Sequence, residues 1–294
     1  MRRRRYMQVL GLGGASSVVG CTSRTEESGP DTDTVTIATA TTAYDSGLLD
    51  VLNRQFAERF GTAVEVVVRG TGASLRIARD GDCDVVLVHA RPLEDEFLTD
   101  GYGINRRRVM VNDFLIVGPS TDPAGAAGRD PVSVFRAIAE TEATFVSRGD
   151  RSGTHVRERH IWEEAGINPS GEWYLETGQG MGDTLIAAER TNAYTLTDRG
   201  TFLAVSIDGD LARHVDSGID DPPPLLRNEY AVIPVNPARH DVAYPLAMSY
   251  VGYLTGPGQS RIETFRVAGE RAFRPLARSS DPAFGQYVPS DWRG

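Results

Sequence analysis

Lysine is absent from this 294-residue sequence, so all 31 basic residues are arginine, and 40 Asp and Glu bring the net charge to −9. Runs of three or more basic residues occur only at Arg2–Arg5 and Arg106–Arg108. Because a phosphate backbone repels a chain of this charge, the composition argues against a nucleic-acid-binding protein. A surplus of surface carboxylates is typical of proteins that stay soluble in concentrated salt.

Cysteine is scarce, with Cys21 and Cys83 as its two examples. No second thiol or histidine completes a metal site with Cys83, and no disulfide can form if Cys21 carries a lipid. The fold must then be stabilised by its core, for which a content of 40% hydrophobic residues is sufficient. We therefore expect neither a metal ion nor a cofactor.

The first 20 residues are predicted to be an export signal rather than part of the fold. Arg2–Arg5 precede a weakly apolar stretch, Tyr6–Val19, which is too short to span about 30 Å of hydrocarbon. The pattern resembles a twin-arginine signal, and Val18–Cys21 resembles the lipobox at which the cysteine of an exported lipoprotein receives its lipid. The alternative is an N-terminus that contains a cysteine by chance.

Residues 21–34 are polar and acidic and predict a flexible tether. Removal of the signal would take away four arginines. The remaining 27 arginines and 40 acidic residues would give a net charge of −13. A lipid on Cys21 would place the protein outside the cytoplasm, anchored to the membrane surface.

Apolar residues recur with the periods of alternating strands and helices, which predicts an α/β fold. In the first part of the chain, the predicted strands are 35–38, 64–68 and 85–88, and the predicted helices are 48–60, 73–80 and 92–99. The strands at 64–68 and 85–88 are almost continuously apolar, as expected for parallel strands covered on both faces.

A second alternating region begins near residue 130. Its predicted helices are 131–141, 154–165 and 181–189, and its predicted strands are 144–147, 173–176 and 193–197. The tail, 242–276, is predicted to be helical, with Tyr244, Met248, Val251 and Leu254 on one apolar stripe.

Asn112–Pro119 and Asn228–Pro234 repeat one pattern, in which an asparagine, an acid and an aromatic residue precede apolar residues. We interpret them as two crossover strands, although two strands can resemble each other by chance. This interpretation gives a discontinuous lobe one, 35–115 plus 231–294, and a lobe two, 116–230. A cleft between the lobes would be a preferred ligand site.

Most catalytic signals are weak. His155 and His160 are five residues apart on one predicted helix and cannot chelate a metal as residues four apart do. The acidic run Glu94–Glu96 is typical of a solvated helix face, and His89 ends a buried strand. An exported hydrolase using Ser152 or Thr154 with His155 is the alternative from another class, but no third residue is evident to orient the imidazole.

Four hydroxyl- and glycine-rich turns each join a predicted strand to a predicted helix. Amides at helix N-termini, hydroxyl groups and one arginine together make an anion site, and glycine lets the backbone approach the ligand. Because no nucleophile–base pair accompanies them, the turns favour binding over catalysis. They are 39–42, 70–74, 148–155 and 177–182.

At these turns the sequence resembles the substrate-binding proteins of tungstate ABC transporters. The resemblance runs from about residue 35 to 285 and depends on several motifs together. They are Tyr44–Leu49, Asp84–Ala90, Gly101–Arg107, Asn112–Phe114, Ser147–His155, Glu176–Met181 and Tyr194–Arg199.

The resemblance implies a two-lobed periplasmic-binding-protein fold of type II, with two crossover strands and a ligand cleft between the lobes. It also implies capture of tungstate for a membrane permease, by a monomer and without catalysis. The expected ligand-binding residues are Thr39, Thr41, Thr42, Thr71, Gly72, Arg148, Ser152, Gly153 and Thr154.

This chain departs from the family at the first turn, where Thr42 replaces a serine and two hydroxyls are lost. Molybdate and phosphate remain alternative ligands. Hydrogen phosphate carries a proton and needs an acceptor such as Asp150 or Asp45, whereas tungstate and molybdate need donors only. A salt bridge from Arg148 to Asp150 or Glu176 is the alternative to a ligand contact by Arg148.

Overall fold

The computed structural model describes residues 33–205, 209–278 and 283–291. The predicted export signal, Cys21 and the tether up to residue 32 lie outside the described residues. Thr34, the last residue of the predicted tether, belongs to the first strand. None of the helices in the described ranges combines the length and the apolar character needed to cross a membrane.

The first part of the chain alternates strands and helices as predicted. The parallel pairing of β1 with both β2 and β3 confirms the predicted βαβαβ unit. Its elements are β1 (Thr34–Thr39), α1 (Thr41–Asp45), α2 (Leu48–Phe60), β2 (Ala63–Val68), α3 (Thr71–Asp80), β3 (Val85–Val88) and α4 (Arg91–Thr99).

The middle part also follows the predicted order, with one long strand at its start and a short helix, α8, that the sequence pattern did not indicate. Its elements are β4 (Arg107–Pro119), α5 (Pro131–Glu140), β5 (Phe145–Ser147), α6 (Gly153–Glu164), β6 (Tyr174–Glu176), α7 (Met181–Arg190), β7 (Thr195–Asp198), α8 (Arg199–Val205) and β8 (Leu211–Val215).

The tail is only half helical, so the prediction of a helical 242–276 is wrong beyond Thr264. Of the predicted apolar stripe, Val251 and Leu254 are buried, whereas Tyr244 and Met248 are half-buried. Ala247, Tyr250 and Tyr253 complete the buried face of α9. The elements are β9 (Arg227–Pro234), α9 (Tyr244–Thr255), α10 (Gly258–Thr264), β10 (Arg266–Val267), β11 (Glu270–Arg271), β12 (Arg274–Pro275) and a 3-10 turn (Phe284–Gln286).

The strands of the main sheet follow the order β12-β4-β9-β3-β1-β2, and the far half of β4 also pairs with β7 and β8. The strand β2 lies at the edge, and none of its residues is fully buried, so only β3 has the predicted coverage on both faces. A separate parallel pair joins β5 to β6.

The two predicted crossover strands are confirmed as direct neighbours. Antiparallel pairing of β4 with β9 sets Asn112 opposite Asn228, so the repeated pattern starts at the same point of both strands. The two asparagines are fully buried, which places polar side chains in the middle of the molecule.

The two largest hydrophobic cores of the described residues both include residues of β4. One contains Leu52, Phe56, Tyr250 and further residues around β1, β3 and α9, while the other contains Phe135 and Trp162 with the residues around them. Met181 and Leu185 of α7 and Phe202 and Leu203 of α8 join the first core, so the two halves of the chain share apolar contacts.

The acidic run in α4 is only partly solvated, because Glu96 is exposed whereas Glu94 is not. Glu94 is fully buried and forms an ion pair with the buried Arg106, at 2.8 Å between Oε2 and Nε. Burial raises the pKa of Glu94, and the Arg106 charge opposes that effect. Because a buried charge without a partner is very costly, Arg106 accounts for the position of Glu94.

Candidate functional site

The four predicted turns lie where the sequence placed them, each directly before a helix. Residues 39–42 join β1 to α1, 70–74 contain the start of α3, 148–155 join β5 to α6, and 177–182 join β6 to α7. The amides in the first turn of a helix have no partner within that helix, so each turn presents N–H groups.

The second and third turns face each other closely. A Cβ atom added at Gly70 would lie 3.6 Å from Oδ2 of Asp150 and 3.7 Å from Cβ of Ser152. One added at Gly72 would lie 3.5 Å from the carbonyl oxygen of Arg151. The start of α3 therefore lies within van der Waals distance of the loop that precedes α6.

His89 connects three of the elements around the site. A Cβ added at Gly153 would lie 2.4 Å from Cε1 of His89, so the ring rests directly on the start of α6. Its Nδ1 lies 2.8 Å from Oδ1 of Asn228, and its ring stacks on Tyr230 with centroids 4.7 Å apart. Burial lowers the pKa of His89 to about 4, which keeps the ring neutral at neutral pH.

A set of buried donors without hydrogen-bond partners in the described part of the chain surrounds this contact. A buried donor left unsatisfied costs about 1–3 kcal/mol, so such a set indicates a site for a ligand that accepts hydrogen bonds. We call it the donor cluster: the hydroxyls of Thr41, Thr42, Thr71, Thr154 and Tyr230, Nδ2 of Asn228 and Nε of Arg148.

The pKa of Tyr230 is affected by several of these groups, which indicates that they lie close to its hydroxyl. Burial raises the pKa of Tyr230 well above its ordinary value, and the negative charge of Asp198 raises it further. The side chains of Thr42 and Asn228 and the charge of Arg148 lower it. These side chains come from β5, β7, β9 and the first turn, so the fold brings both halves of the chain to one place.

Arg148 is almost completely buried and has two roles in this arrangement. Its terminal nitrogen lies 2.6 Å from Oδ2 of Asp150, so the predicted alternative of a salt bridge is present. Burial would raise the pKa of Asp150, but the Arg148 charge and the hydrogen bonds from Ser152 outweigh burial and hold it below its ordinary value. The partnerless Nε of Arg148 remains as a donor.

The expected ligand residues differ in which atoms are available. The hydroxyl of Thr39 donates to the carbonyl oxygen of Leu87 at 2.9 Å, so its hydrogen is already used within the fold. The Ser152 hydroxyl accepts from the amide of His155 at 3.3 Å, and its side chain also hydrogen-bonds the carboxylate of Asp150, so its hydrogen is engaged within the third turn. Gly72 and Gly153 contribute backbone at helix starts.

Asp198 is an acceptor beside the donor cluster. Its Oδ1 accepts from the amide of Thr201 at 2.8 Å and from Nδ2 of Asn112 at 3.4 Å, while the buried Oδ2 has no partner in the described residues. Burial raises the pKa of Asp198, and Thr201, Thr42 and Arg148 oppose the rise.

Sequence reasoning missed Asp198, Asn228 and Tyr230. Asn228 and Tyr230 belong to the repeated pattern at 228–234, from which the sequence predicts a crossover strand and no ligand contact. The available signal was an asparagine at the start of an otherwise apolar strand, because a buried amide needs partners. Within the described ranges, no three His, Cys, Asp or Glu side chains are grouped so that they could hold a metal ion.

Comparison with known proteins agrees with this architecture. A family model for the PBP superfamily domain matches residues 24–257. A Haloferax volcanii protein named "Putative ABC transporter anion-binding protein" is 50% identical over 313 aligned residues, which cover 100% of this chain and 92% of that protein. The tungstate-binding protein TupA of Peptoclostridium acidaminophilum is 40% identical over 235 residues, covering 77% of this chain and 80% of the relative.

Solved structures give the same result. A structure described as the tungstate ABC transporter from Geobacter sulfurreducens has a TM-score of 0.72 and 44% identity, covering 79% of this chain and 98% of that chain. These likenesses confirm the predicted α/β, periplasmic-binding-protein-like fold. The chain belongs to the PBP superfamily and, within it, to the family of the TupA tungstate-binding proteins.

Proposed function

We propose that this protein is the substrate-binding component of an ABC importer and that it captures tungstate in the donor cluster. The observation that carries the proposal is a buried set of donors without partners, at the meeting point of three helix N-termini. Its ligand residues are Thr41, Thr42, Thr71, Gly72, Arg148, Ser152, Gly153 and Thr154, with Asn228 and Tyr230 in addition.

The chemistry of the donor set suits a fully deprotonated oxyanion. A hydrogen bond to a charged group contributes about 1.5–3 kcal/mol, so the seven partnerless donors of the cluster give roughly 10–20 kcal/mol of gross interaction. Association costs an estimated 4–15 kcal/mol, which still permits micromolar to nanomolar affinity. Molybdate has the same charge as tungstate and is the alternative ligand of the same kind.

Phosphate is the second candidate, and Asp198 is the observation that favours it. Hydrogen phosphate needs an acceptor for its proton, and the unpartnered Oδ2 of Asp198 lies beside the cluster. The two carboxylates considered from the sequence fit this role less well. Asp150 already accepts from Arg148 and from the Ser152 amide, and Asp45 is exposed.

The proposed lobe one is 35–115 plus 231–294, and the proposed lobe two is 116–230. The core around Phe135 lies almost entirely within lobe two and supports this division, as do the long strands β4 and β9 that connect the two parts. The core around Phe56 also takes in Met181 and Phe202 of lobe two, so the two lobes share an apolar contact. Closure would bring the turns of lobe one against those of lobe two, where His89 meets Gly153.

We further propose that residues 1–20 direct export and that Cys21 carries a lipid, so that the mature monomer works at the outer face of the membrane. The arginine run before a weakly apolar stretch and the lipobox-like Val18–Cys21 support this location. The partner would be the membrane permease of the importer.

A hydrolase that uses Ser152 and His155 has little support in the local hydrogen bonds. Nδ1 of His155 accepts from the amide of Arg151 at 3.0 Å, and the Ser152 oxygen accepts from the backbone amide of His155 rather than donating to its ring. Neither bond activates the serine as a nucleophile.

Titration calorimetry of the chain from Cys21 onward with tungstate, molybdate, sulfate and phosphate tests the proposal. We expect tight binding of tungstate and weak or no binding of sulfate and phosphate. Arg148→Gln should weaken tungstate binding, whereas Arg190→Gln, at an exposed arginine outside the site, should not.

Two results would contradict the proposal. Equal affinity of wild type and Arg148→Gln would remove the arginine from the site. Tight phosphate binding that is lost in Asp198→Asn, without tight tungstate binding, would establish phosphate as the ligand.

A further inference from the structure

A large cleft opens on the outer side of the contact between His89 and Gly153. Its volume is about 1130 Å³, far more than one tetrahedral oxyanion occupies, and it runs between the start of α4 and the length of α6. His89 and Gly153 line this cleft and also border the donor cluster. The cleft therefore borders the candidate site but is not the site itself.

Arginines dominate the charge of this cleft. Arg91, Arg151, Arg157 and Arg159 line it, against the two acids Glu163 and Glu176. Asp95 neutralises Arg91 at 2.6 Å. We call this cavity, with its three remaining arginines, the basic cleft.

In the described part of the chain, the three remaining arginines have no carboxylate partner. Arg157 donates to the carbonyl oxygens of Pro224 and Arg227, at 3.1 and 3.2 Å, and Arg159 donates to Asn168 at 3.0 Å. Burial lowers the pKa of Arg157, and no anionic side chain offsets that effect. These guanidinium groups therefore keep their positive field directed at the solvent in the cleft.

A local positive field matters in a chain whose net charge is −9. Its overall field repels a dianion, whereas a low-dielectric cleft lined by charge of one sign concentrates field lines and can raise association rates by about 10- to 1000-fold. The basic cleft is the approach to a site whose own arginine is already paired with Asp150.

We propose that the basic cleft is an outer capture site, which holds small doubly charged oxyanions by charge alone before they pass His89 and Gly153 to the donor cluster. This inference rests on the proposed function and adds a kinetic step to it. Arg151 and Arg159 are exposed and set the rate of capture, while the buried donors set selectivity and the rate of release.

Stopped-flow tryptophan fluorescence with tungstate separates these two roles, because it measures association and dissociation rate constants independently. We expect the double variant Arg151→Gln/Arg159→Gln to associate about tenfold more slowly at 0.1 M ionic strength, with an unchanged dissociation rate constant. At 1 M the Debye length falls to about 3 Å, so the difference should disappear.

The matched control is Arg54→Gln/Arg190→Gln, which removes the same charge from exposed positions outside the cleft. It should associate at close to the wild-type rate. Arg157→Gln should slow association in the same direction, and circular dichroism shows whether each variant is folded.

An unchanged association rate constant in the double variant would overturn the inference. A change in the dissociation rate constant alone would also overturn it, as would an equal decrease of the association rate constant in the control variant. These results differ from a failure of the proposed function, in which wild-type protein would show no tungstate binding by calorimetry at all.

Discussion

Replacing Gly153 with alanine tests whether contact between His89 and the start of α6 is required for binding. The added Cβ would lie 2.4, 2.6 and 2.9 Å from the nearest three atoms of the His89 ring, distances that real Cβ atoms do not adopt. The ring cannot turn away cheaply, because Asn228 holds its Nδ1 at 2.8 Å and Tyr230 stacks on it. The start of α6 must therefore move away from His89.

Overpacking at a well-packed contact costs about 1–3 kcal/mol. If binding requires the closed contact, this cost appears in ligand affinity, and the dissociation constant for tungstate should rise by roughly 5- to 150-fold. The effect on unfolding should be smaller, because an open arrangement relieves the clash without unfolding either core.

Calorimetry on a double-mutant cycle isolates the clash. In Gly153→Ala/His89→Ala the ring is gone, so the Gly153→Ala change should cost little beyond His89→Ala alone. The matched control is Gly182→Ala, also near the start of a helix, where the new Cβ would meet nothing closer than Val205 at 3.6 Å. Additive losses in the cycle, or an equal loss in the control, would refute this account of the contact.

Four further substitutions probe other groups. Thr42→Val removes a partnerless hydroxyl and should weaken tungstate binding by about 1.5–3 kcal/mol, as measured by calorimetry. Thr39→Val removes the hydrogen bond to Leu87, so it should lower the free energy of unfolding by about 1 kcal/mol in urea and leave the affinity for tungstate unchanged. Arg148→Lys keeps the charge but loses the planar donor geometry, so the variant should bind tungstate more weakly than wild type. An affinity equal to that of wild type would contradict the role of Nε. Burial raises the pKa of Glu158 from 4.5 to about 7, so this side chain binds its proton more tightly in the folded protein than in the unfolded chain. The free energy of unfolding should therefore fall by about 3 kcal/mol as the pH rises from 4.5 to 7. Glu158→Gln should abolish this fall, as measured by urea unfolding at pH 5 and 7.5.

Much of the fold could be predicted, because helix and strand periods reflect burial directly. The apolar stripe of α2 and the continuous apolar run of β3 predict the bounds of these two elements to within a residue or two of those observed. The short helix α1 was missed, since five residues are too few to show a helical period. The end of the tail was missed because short strands such as β12 depend on their partner β4, which no local pattern reveals.

Glu94 shows why charge patterns mislead. Its two acidic neighbours make it resemble part of a solvated face, and its partner Arg106 lies 12 residues away, just before β4. Only the tertiary fold brings the two side chains together. Long-range pairing of this kind leaves no periodic trace in the sequence, so the buried ion pair could not be anticipated.

For the site, the sequence indicates the local turns but not the contacts that depend on strands. It predicts helix starts at 73 and 154, and the helices begin one or two residues earlier, at Thr71 and Gly153. Thr39 has the same local signal, yet its hydroxyl is consumed by Leu87 on the neighbouring strand. Sequence alone identifies which residues can donate but not which donors the fold has already used.

The acidic composition and the proposed anion ligand are compatible because they act over different distances. At 0.1 M ionic strength, charges more than about 10 Å away are largely screened, so the net charge of the surface contributes little at a buried site. Within that distance, Arg148 and Arg157 are close enough to lower the pKa of His89. Since burial also keeps His89 neutral, we infer that the anion is held by one paired arginine and by neutral donors fixed before the ligand arrives. Neutral donors cost less to bury than charges, which allows a strongly acidic protein to keep an anion site ready without a cluster of cations that would repel one another.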